Sequence, residues 1–515
     1  MSNLTRRDFI KMTSVAALAM AFPVNVFAAD DCTAKTRYGT FKGFVDENGV
    51  KTWLGIPYAQ PPVGKLRWQA PQPLKPTNKT FDAKKFGFRA VQIYDEKGIS
   101  QMPESEDCLT LNIWTRGAGK NLPVMFFIQG GAFAFESASD PLYYGNNFAA
   151  ANDVVLVSFD YRMNVFGFMN FASIDSSFED SGYLALKDHV AALRWVKENI
   201  AAFGGNPDNI TVFGESAGAV LTMLLTVTPG AKGLFDKAIP QSGSLFFYNE
   251  PQQSARLAEE FMEMNGAKNM RDLMKKSTDE LKNVYTKLAE ARGFSLTDFM
   301  PTCDGKFLPR DPVQALKDGA ARGIKILTGT TADEWRCFLL AAENLFEIFR
   351  EEPEKNSPIL ARYKAHTPQE IYRTWLNGRP DNDDTYGDFA TQLDWRVGQE
   401  LTAEYQSAYD DVYYYLFSEQ SPIEILRSCH AVDLPFTFNN PDDLYPNPPQ
   451  NLVKKVQTTW TAFATTGNPN NETIPHWEKY SAGNRQTMEL NSKGCVCHKD
   501  LNTQNLNSLR YVYEN

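Results

Sequence analysis

Ile210-Thr211-Val212-Phe213-Gly214-Glu215-Ser216-Ala217-Gly218 decides the fold. A β-branched and aromatic strand runs into Gly-x-Ser-x-Gly, and a small-residue helix start follows. This is the sequence context of a nucleophile elbow. A serine hydroxyl is a weak nucleophile, so it must be lifted clear of a sheet on a strained turn and brought to a base. Gly214 and Gly218 leave room for that turn, because a side chain at either would meet the neighbouring strand or helix. The helix beginning at Ala217 aims free N–H groups at the place where an oxyanion forms. A glycine-rich turn whose serine merely caps a helix would share the five-residue pattern. The strand before it and the Ala-rich helix after it favour a catalytic Ser216.

Working outward, residues 124–128 form an uninterrupted apolar run, typical of a strand buried on both faces, and end in Gln129-Gly130-Gly131-Ala132. Residues 154–159 form a second such strand, ending in Asp160-Tyr161-Arg162. Between them and the elbow, residues 188–203 read as an amphipathic helix with Leu193, Val196 and Ile200 on one face, stopped by Gly204-Gly205. Strand and helix in alternation mean an α/β protein with a doubly wound, mostly parallel sheet. Residues 324–327 and 412–417 read as later strands of it, and 38–45 with 50–54 as a hairpin. The charged segments 252–291 and 343–375 lack strand patterns and are expected to be helical insertions roofing the active site. No Gly/Ser- or Pro-rich linker sets them apart. A length of 515 residues suggests about three domains, yet residues 29–515 are expected to form one.

Residues 1–28 are set apart. Thr5-Arg6-Arg7-Asp8-Phe9-Ile10-Lys11 precedes an apolar run over 12–22, and Val26-Phe27-Ala28 offers a small-residue cleavage site. The run is shorter than the ~20 residues that span a bilayer. It resembles a twin-arginine export signal, which implies a periplasmic or secreted protein, export machinery as partner of the precursor, and no stable membrane anchor. Arg6, Arg7 and Lys11 against Asp8 mean that cleavage takes the net charge from −10 to −12. An acidic chain without basic runs is a poor nucleic-acid binder. Seven cysteines at irregular spacing make no disulfide framework. Cys495-Val496-Cys497-His498 lacks the further ligands that structural zinc needs, so no metal is expected.

A serine nucleophile needs a base and an acid that orients it. In α/β-hydrolase order the acid follows the serine and the histidine follows the acid. Five histidines are available. His189 precedes the elbow, His366 stands just before the capping-box pattern Thr367-Pro368-Gln369-Glu370, and His476 and His498 come late. His430 follows the 412–417 strand in a loop, where the base should hang. For the acid, the 324–327 strand leads into Gly329-Thr330-Thr331-Ala332-Asp333-Glu334-Trp335, and spacing does not choose between Asp333 and Glu334. Backbone donors for the oxyanion are expected from Gly130-Gly131-Ala132 and from Ala217.

Together these residues resemble the type B carboxylesterase and cholinesterase-like family. The match is collinear through Gly55-Ile56-Pro57-Tyr58-Ala59, Glu106-Asp107-Cys108-Leu109, Gln129-Gly130-Gly131-Ala132-Phe133, Asp160-Tyr161-Arg162, the elbow, Ala238-Ile239-Pro240-Gln241-Ser242-Gly243-Ser244, Cys303-Asp304-Gly305, His430-Ala431-Val432-Asp433-Leu434-Pro435-Phe436 and Gly467-Asn468-Pro469. The resemblance implies an α/β-hydrolase fold, Glu334 as the acid, His430 as the base, and oxyanion donors from Gly131, Ala132 and Ala217. It places Glu215 and Ser242 in a buried shell around the base. Three departures stand out. Gln129 replaces a family histidine or tyrosine that holds the loop, Cys108 has no cysteine near Val91 to pair with, and Glu136 replaces a glycine near the pocket mouth.

The expected activity is that of a serine carboxylesterase acting on a small-molecule ester through an acyl-enzyme, with no metal or cofactor. An amidase or thioesterase could use the same triad. A non-catalytic binding protein of the same family would lack the serine, which this chain keeps. Substrate preference would lie in loops around residues 133–139 and 294–300 and in the insertions.

Overall fold

The computed structural model describes residues 29–92, 102–117, 120–292, 298–340, 345–351 and 353–514. The N-terminal segment read as an export signal and most of the 294–300 loop lie outside them. The described residues build one sheet from β1 (Ala29–Thr36), β2 (Gly39–Val45), β3 (Lys51–Pro57), β4 (Thr80–Asp82), β5 (Thr110–Thr115), β6 (Leu122–Ile128), β7 (Val155–Phe159), β8 (Gly205–Glu215), β9 (Lys237–Gln241), β10 (Lys325–Thr331), β11 (Val412–Phe417), β12 (Gln486–Leu490) and β13 (Val496–Lys499). The order is β1-β2-β3-β5-β7-β6-β8-β9-β10-β11-β12-β13, with β4 beside β2.

From β7 to β12 every neighbouring pair is parallel. Chemistry-bearing loops therefore leave the same edge, at the carboxyl ends of the strands. β6 and β7 are buried along almost their whole length, as a strand covered by helices on both faces must be. β1, β2, β3 and β5 run antiparallel at one edge, and β13 closes the other. Short connections join β1 to β2, β2 to β3 and β12 to β13, which suits antiparallel pairing.

The helix expected over 188–203 starts earlier. It spans Leu184–Asn199 and tightens into a 3₁₀ turn over Ile200–Phe203. Gly204 ends it at φ 91°, the left-handed stop that glycine accepts without strain. Asp188 looked like a start signal but lies buried in the second turn. Arg162 grips it through Nε at 2.8 Å and Nη2 at 2.7 Å. Nor is the helix amphipathic in the simple sense, because Ala185, Asp188, His189 and Ala192 are as buried as Leu193 and Val196. It is sandwiched between the sheet and neighbouring loops.

The insertions are helical, including Pro251–Met264, Thr278–Arg292 and Pro368–Leu376. The last begins in the expected capping box, with Thr367 and Glu370 bonding each other's backbone N–H. The helical stretch runs on through Asp383–Ala390, a π turn over Thr391–Arg396 and Val397–Ser407. The cysteines of the described residues form no disulfide, and Cys108 is a buried thiol. No helix among the described residues is long and apolar enough to cross a membrane.

Candidate active site

β8 delivers Ser216 to the head of the helix Ala217–Val227. Ser216 has φ 56° and ψ −124°, a strained conformation that only surrounding structure can hold. Two glycines make it possible. A Cβ on Gly218 would stand 2.1 Å from the Ile128 carbonyl oxygen, and one on Gly214 would stand 2.7 Å from both that oxygen and the Gly218 carbonyl. The Ser216 N–H donates to the Gln241 carbonyl at 3.0 Å. Ser216 remains half-buried amid fully buried neighbours.

β10 and the loop after β11 bring the acid and base together. His430 Nδ1 lies 2.5 Å from Glu334 Oε2, and the His430 N–H donates to the Glu334 carbonyl at 3.1 Å. Glu334 Oε1 accepts from Ser242 Oγ at 2.7 Å and from the Thr331 N–H at 2.8 Å. Glu334 is fully buried. Asp333 faces arginines instead, 3.7 Å from Arg336 and 3.8 Å from Arg427. Of the two carboxyls that spacing left open, Glu334 is the one in contact with His430.

On its other side His430 Nε2 sits 3.1 Å from Glu215 Oε1, without hydrogen-bond alignment. No hydrogen bond joins it to Ser216 Oγ among the described residues. Catalytic hydrogen bonds of this kind often tighten only when substrate is bound. Burial pushes His430 down, but the carboxyls of Glu215 and Glu334 outweigh it and lift its pKa to about 9. Glu215 is itself pushed well up by burial. Glu215, 2% exposed, and Glu334 thus flank the imidazole at its two nitrogens.

Two features around the base have no signal in the sequence. The Trp395 ring lies 4.4 Å from the His430 ring, carried by the π turn. Arg396 beside it donates to the carbonyls of Thr331 and Ala332, both at 2.9 Å, tying that turn to the acid loop. Such π turns recur at functional sites, but hydropathy periodicity does not reveal them.

The glycine loop after β6 is strained throughout. Gly131, Ala132 and Phe133 have φ of 82°, 48° and 63°. A Cβ on Gly131 would stand 2.1 Å from the Phe135 carbonyl oxygen. Gly130 abuts the nucleophile, where a Cβ would lie 3.2 Å from Ser216 Cβ. The N–H groups of Gly131, Ala132 and Ala217 donate to no other element's backbone among the described residues. Gln129 is fully buried, and neither polar atom of its amide has a partner among them. Its carbonyl accepts from Tyr161 Oη at 3.0 Å.

The remaining histidines stand elsewhere. His189 is buried with Nδ1 2.5 Å from the Ala185 carbonyl, and burial pushes it down to about 3. His498 pairs with Glu489 at 2.8 Å. Cys497, adjacent to it on β13, projects to the opposite face and bonds Gln486. No metal-holding group of His, Cys, Asp and Glu exists among the described residues.

Comparison with known proteins matches this arrangement to one family. A model of the carboxylesterase family matches residues 30–509. Para-nitrobenzyl esterase of Bacillus subtilis (strain 168) is 36% identical over 482 residues, covering 89% of this chain and 94% of that protein. Acetylcholinesterase of Danio rerio is 29% identical, over 93% of this chain and 87% of that one. Among solved structures, a thermophilic PNB esterase superposes with a TM-score of 0.82 at 34% identity, over 93% of this chain and 99% of its own. The carboxylesterase EST55 of Geobacillus stearothermophilus gives 0.81 at 35%, over 92% and 99%.

Proposed function

Because the chain belongs to the carboxylesterase family, has the α/β-hydrolase fold and is a carboxylic ester hydrolase, we propose that it works through a Ser216–His430–Glu334 triad and an acyl-enzyme. The observation that carries this reading is the buried 2.5 Å contact of His430 Nδ1 with Glu334, set beside a serine in a strained elbow. Ser216 Oγ attacks the ester carbonyl while His430 Nε2 takes its proton. Glu334 holds the Nδ1–H tautomer and stabilises the imidazolium. The N–H groups of Gly131, Ala132 and Ala217 bind the oxyanion, with Gly130 shaping the loop. His430 then protonates the departing alcohol. Water, deprotonated by the same imidazole, attacks the acyl-enzyme, and the carboxylic acid leaves as Ser216 regains its proton. Ser242 holds the acid from behind, and Glu215 lies beside the Nε2 edge of the base.

Ser216→Ala should abolish turnover of nitrophenyl esters and labelling by a fluorophosphonate, with circular dichroism unchanged. Labelling that persists on another serine overturns the assignment. A nitroanilide run beside the ester separates an esterase from an amidase. We also propose that residues 1–28 direct twin-arginine export to the periplasm or medium, the support being Arg6-Arg7 followed by a short apolar run.

A further inference from the structure

We propose that Glu136 is a specificity-determining residue, which makes this ester site discriminate by charge and reject esters carrying a carboxylate beside the scissile bond. The inference rests on the reading of Ser216 as nucleophile. Glu136 lies four residues beyond Ala132, on the loop that bears the oxyanion donors. Its backbone has φ 71°, in the left-handed region that few side-chain-bearing residues adopt. Gln92 clamps it there. The side-chain oxygen of Gln92 accepts from the Glu136 N–H at 3.1 Å, and its NH₂ donates to the Glu136 carbonyl at 2.7 Å.

The clamped side chain turns inward. Oε2 accepts from Tyr143 Oη at 2.6 Å, and the Gly130 backbone N–H lies near enough to favour the ionised carboxyl. Gly130 forms the wall of the nucleophile's site. A Cβ there would lie 3.2 Å from Ser216 Cβ and 3.1 Å from Glu215 Oε2. Glu136 and Glu215 thus converge on one glycine, next to the reacting centre.

The titratable groups acting with Glu136 are Tyr143, Tyr161, Asp140, Glu215 and His430. None is lysine or arginine, so His430 is the sole positive charge it meets among them. An ionised carboxylate has about four lone-pair sites, and Tyr143 uses one. The residue is half-buried rather than sealed. An anionic substrate group here would face a like charge with little water to screen it, and like-charge juxtaposition is a strong means of rejecting a ligand. A neutral ester escapes that repulsion. Burial pushes the Glu136 carboxyl up to about 7. Its charge is therefore present above that pH and fades below it, and the discrimination should fade with it.

The test is a ratio. kcat/KM for propyl acetate and for O-acetylglycolate, an anion of similar size, is measured by pH-stat at pH 8 and pH 6. At pH 8 Glu136→Gln should narrow the preference for the neutral ester about tenfold. The unmodified protein should show a similar narrowing on passing from pH 8 to pH 6, and the variant should not. A variant that hydrolyses both esters with the ratio unmoved overturns the proposal. Should the variant fail to fold, a ratio in the unmodified protein that stays constant between the two pH values does the same. Failure of the underlying reading looks different: hydrolysis of propyl acetate is then absent, or survives Ser216→Ala.

Discussion

At the scale of the residue, Glu334 and Asp333 are adjacent carboxylates with opposite surroundings. Glu334 spends both oxygens on His430, Ser242 and Thr331. Asp333 spends its own on arginines and the Ser428 N–H. Glu334→Gln should lower kcat on the order of 10⁴-fold, as a mis-set tautomer does, whereas Asp333→Asn should cost far less; steady-state kinetics on a neutral ester separates them. The sign of the pH effect follows from the same contact. His430 is held above its usual pKa, so activity should rise with pH as the ring loses its proton. The half-point should lie above 6.5 in the native protein and lower in Glu334→Gln, where one of the two carboxyls beside the imidazolium is gone. Stability runs the other way. The contribution of the imidazolium and its two carboxyl neighbours, Glu215 and Glu334, is fully present below about pH 6.5 and is lost as pH rises through about 9.

At the scale of the element, the elbow is the place where chain geometry and chemistry meet. Gly218→Ala would drive a methyl group to 2.1 Å from the Ile128 carbonyl oxygen, separating the helix Ala217–Val227 from β6. We expect at least 1–3 kcal/mol of destabilisation, together with loss of activity, read from urea unfolding and ester turnover. The helix Leu184–Asn199 offers a second test. Removing Asp188 strands the buried guanidinium of Arg162, and Asp188→Ala should cost about 3–5 kcal/mol. That helix also marks where sequence reading stops. Its apolar positions and its glycine stop were plain, because periodicity and a left-handed residue leave local signatures. Its start was misplaced, because a buried ion pair with Arg162 gives Asp188 a role that local sequence does not display. The parallel strands were legible as apolar runs, and the elbow as two glycines around a serine. The π turn that sets Trp395 against His430 was not, since it depends on packing against a loop some 60 residues away in the chain. Gln129 was legible as a departure, but not as a buried amide lacking a partner.

At the scale of the whole molecule, export and shape are the open properties. Changing Arg6 and Arg7 together to lysine should leave the precursor in the cytoplasm of a bacterial host, as cell fractionation would show; normal export would argue for the general secretory route. The strand order has another consequence. β1 is the first strand of the sheet and β11 the tenth, so about 40 Å of sheet separates them at ~4.8 Å per strand. The last helix, Thr503–Glu514, lies against Val397–Ser407, which packs on β10 and β11. Residues 29 and 514 therefore stand far apart across the molecule. Circular permutation, which joins old ends and opens new ones, needs a bridge of at least about 12 stretched residues here. A five-residue bridge should give a permutant that cannot close its sheet, read as loss of ester turnover and of cooperative urea unfolding.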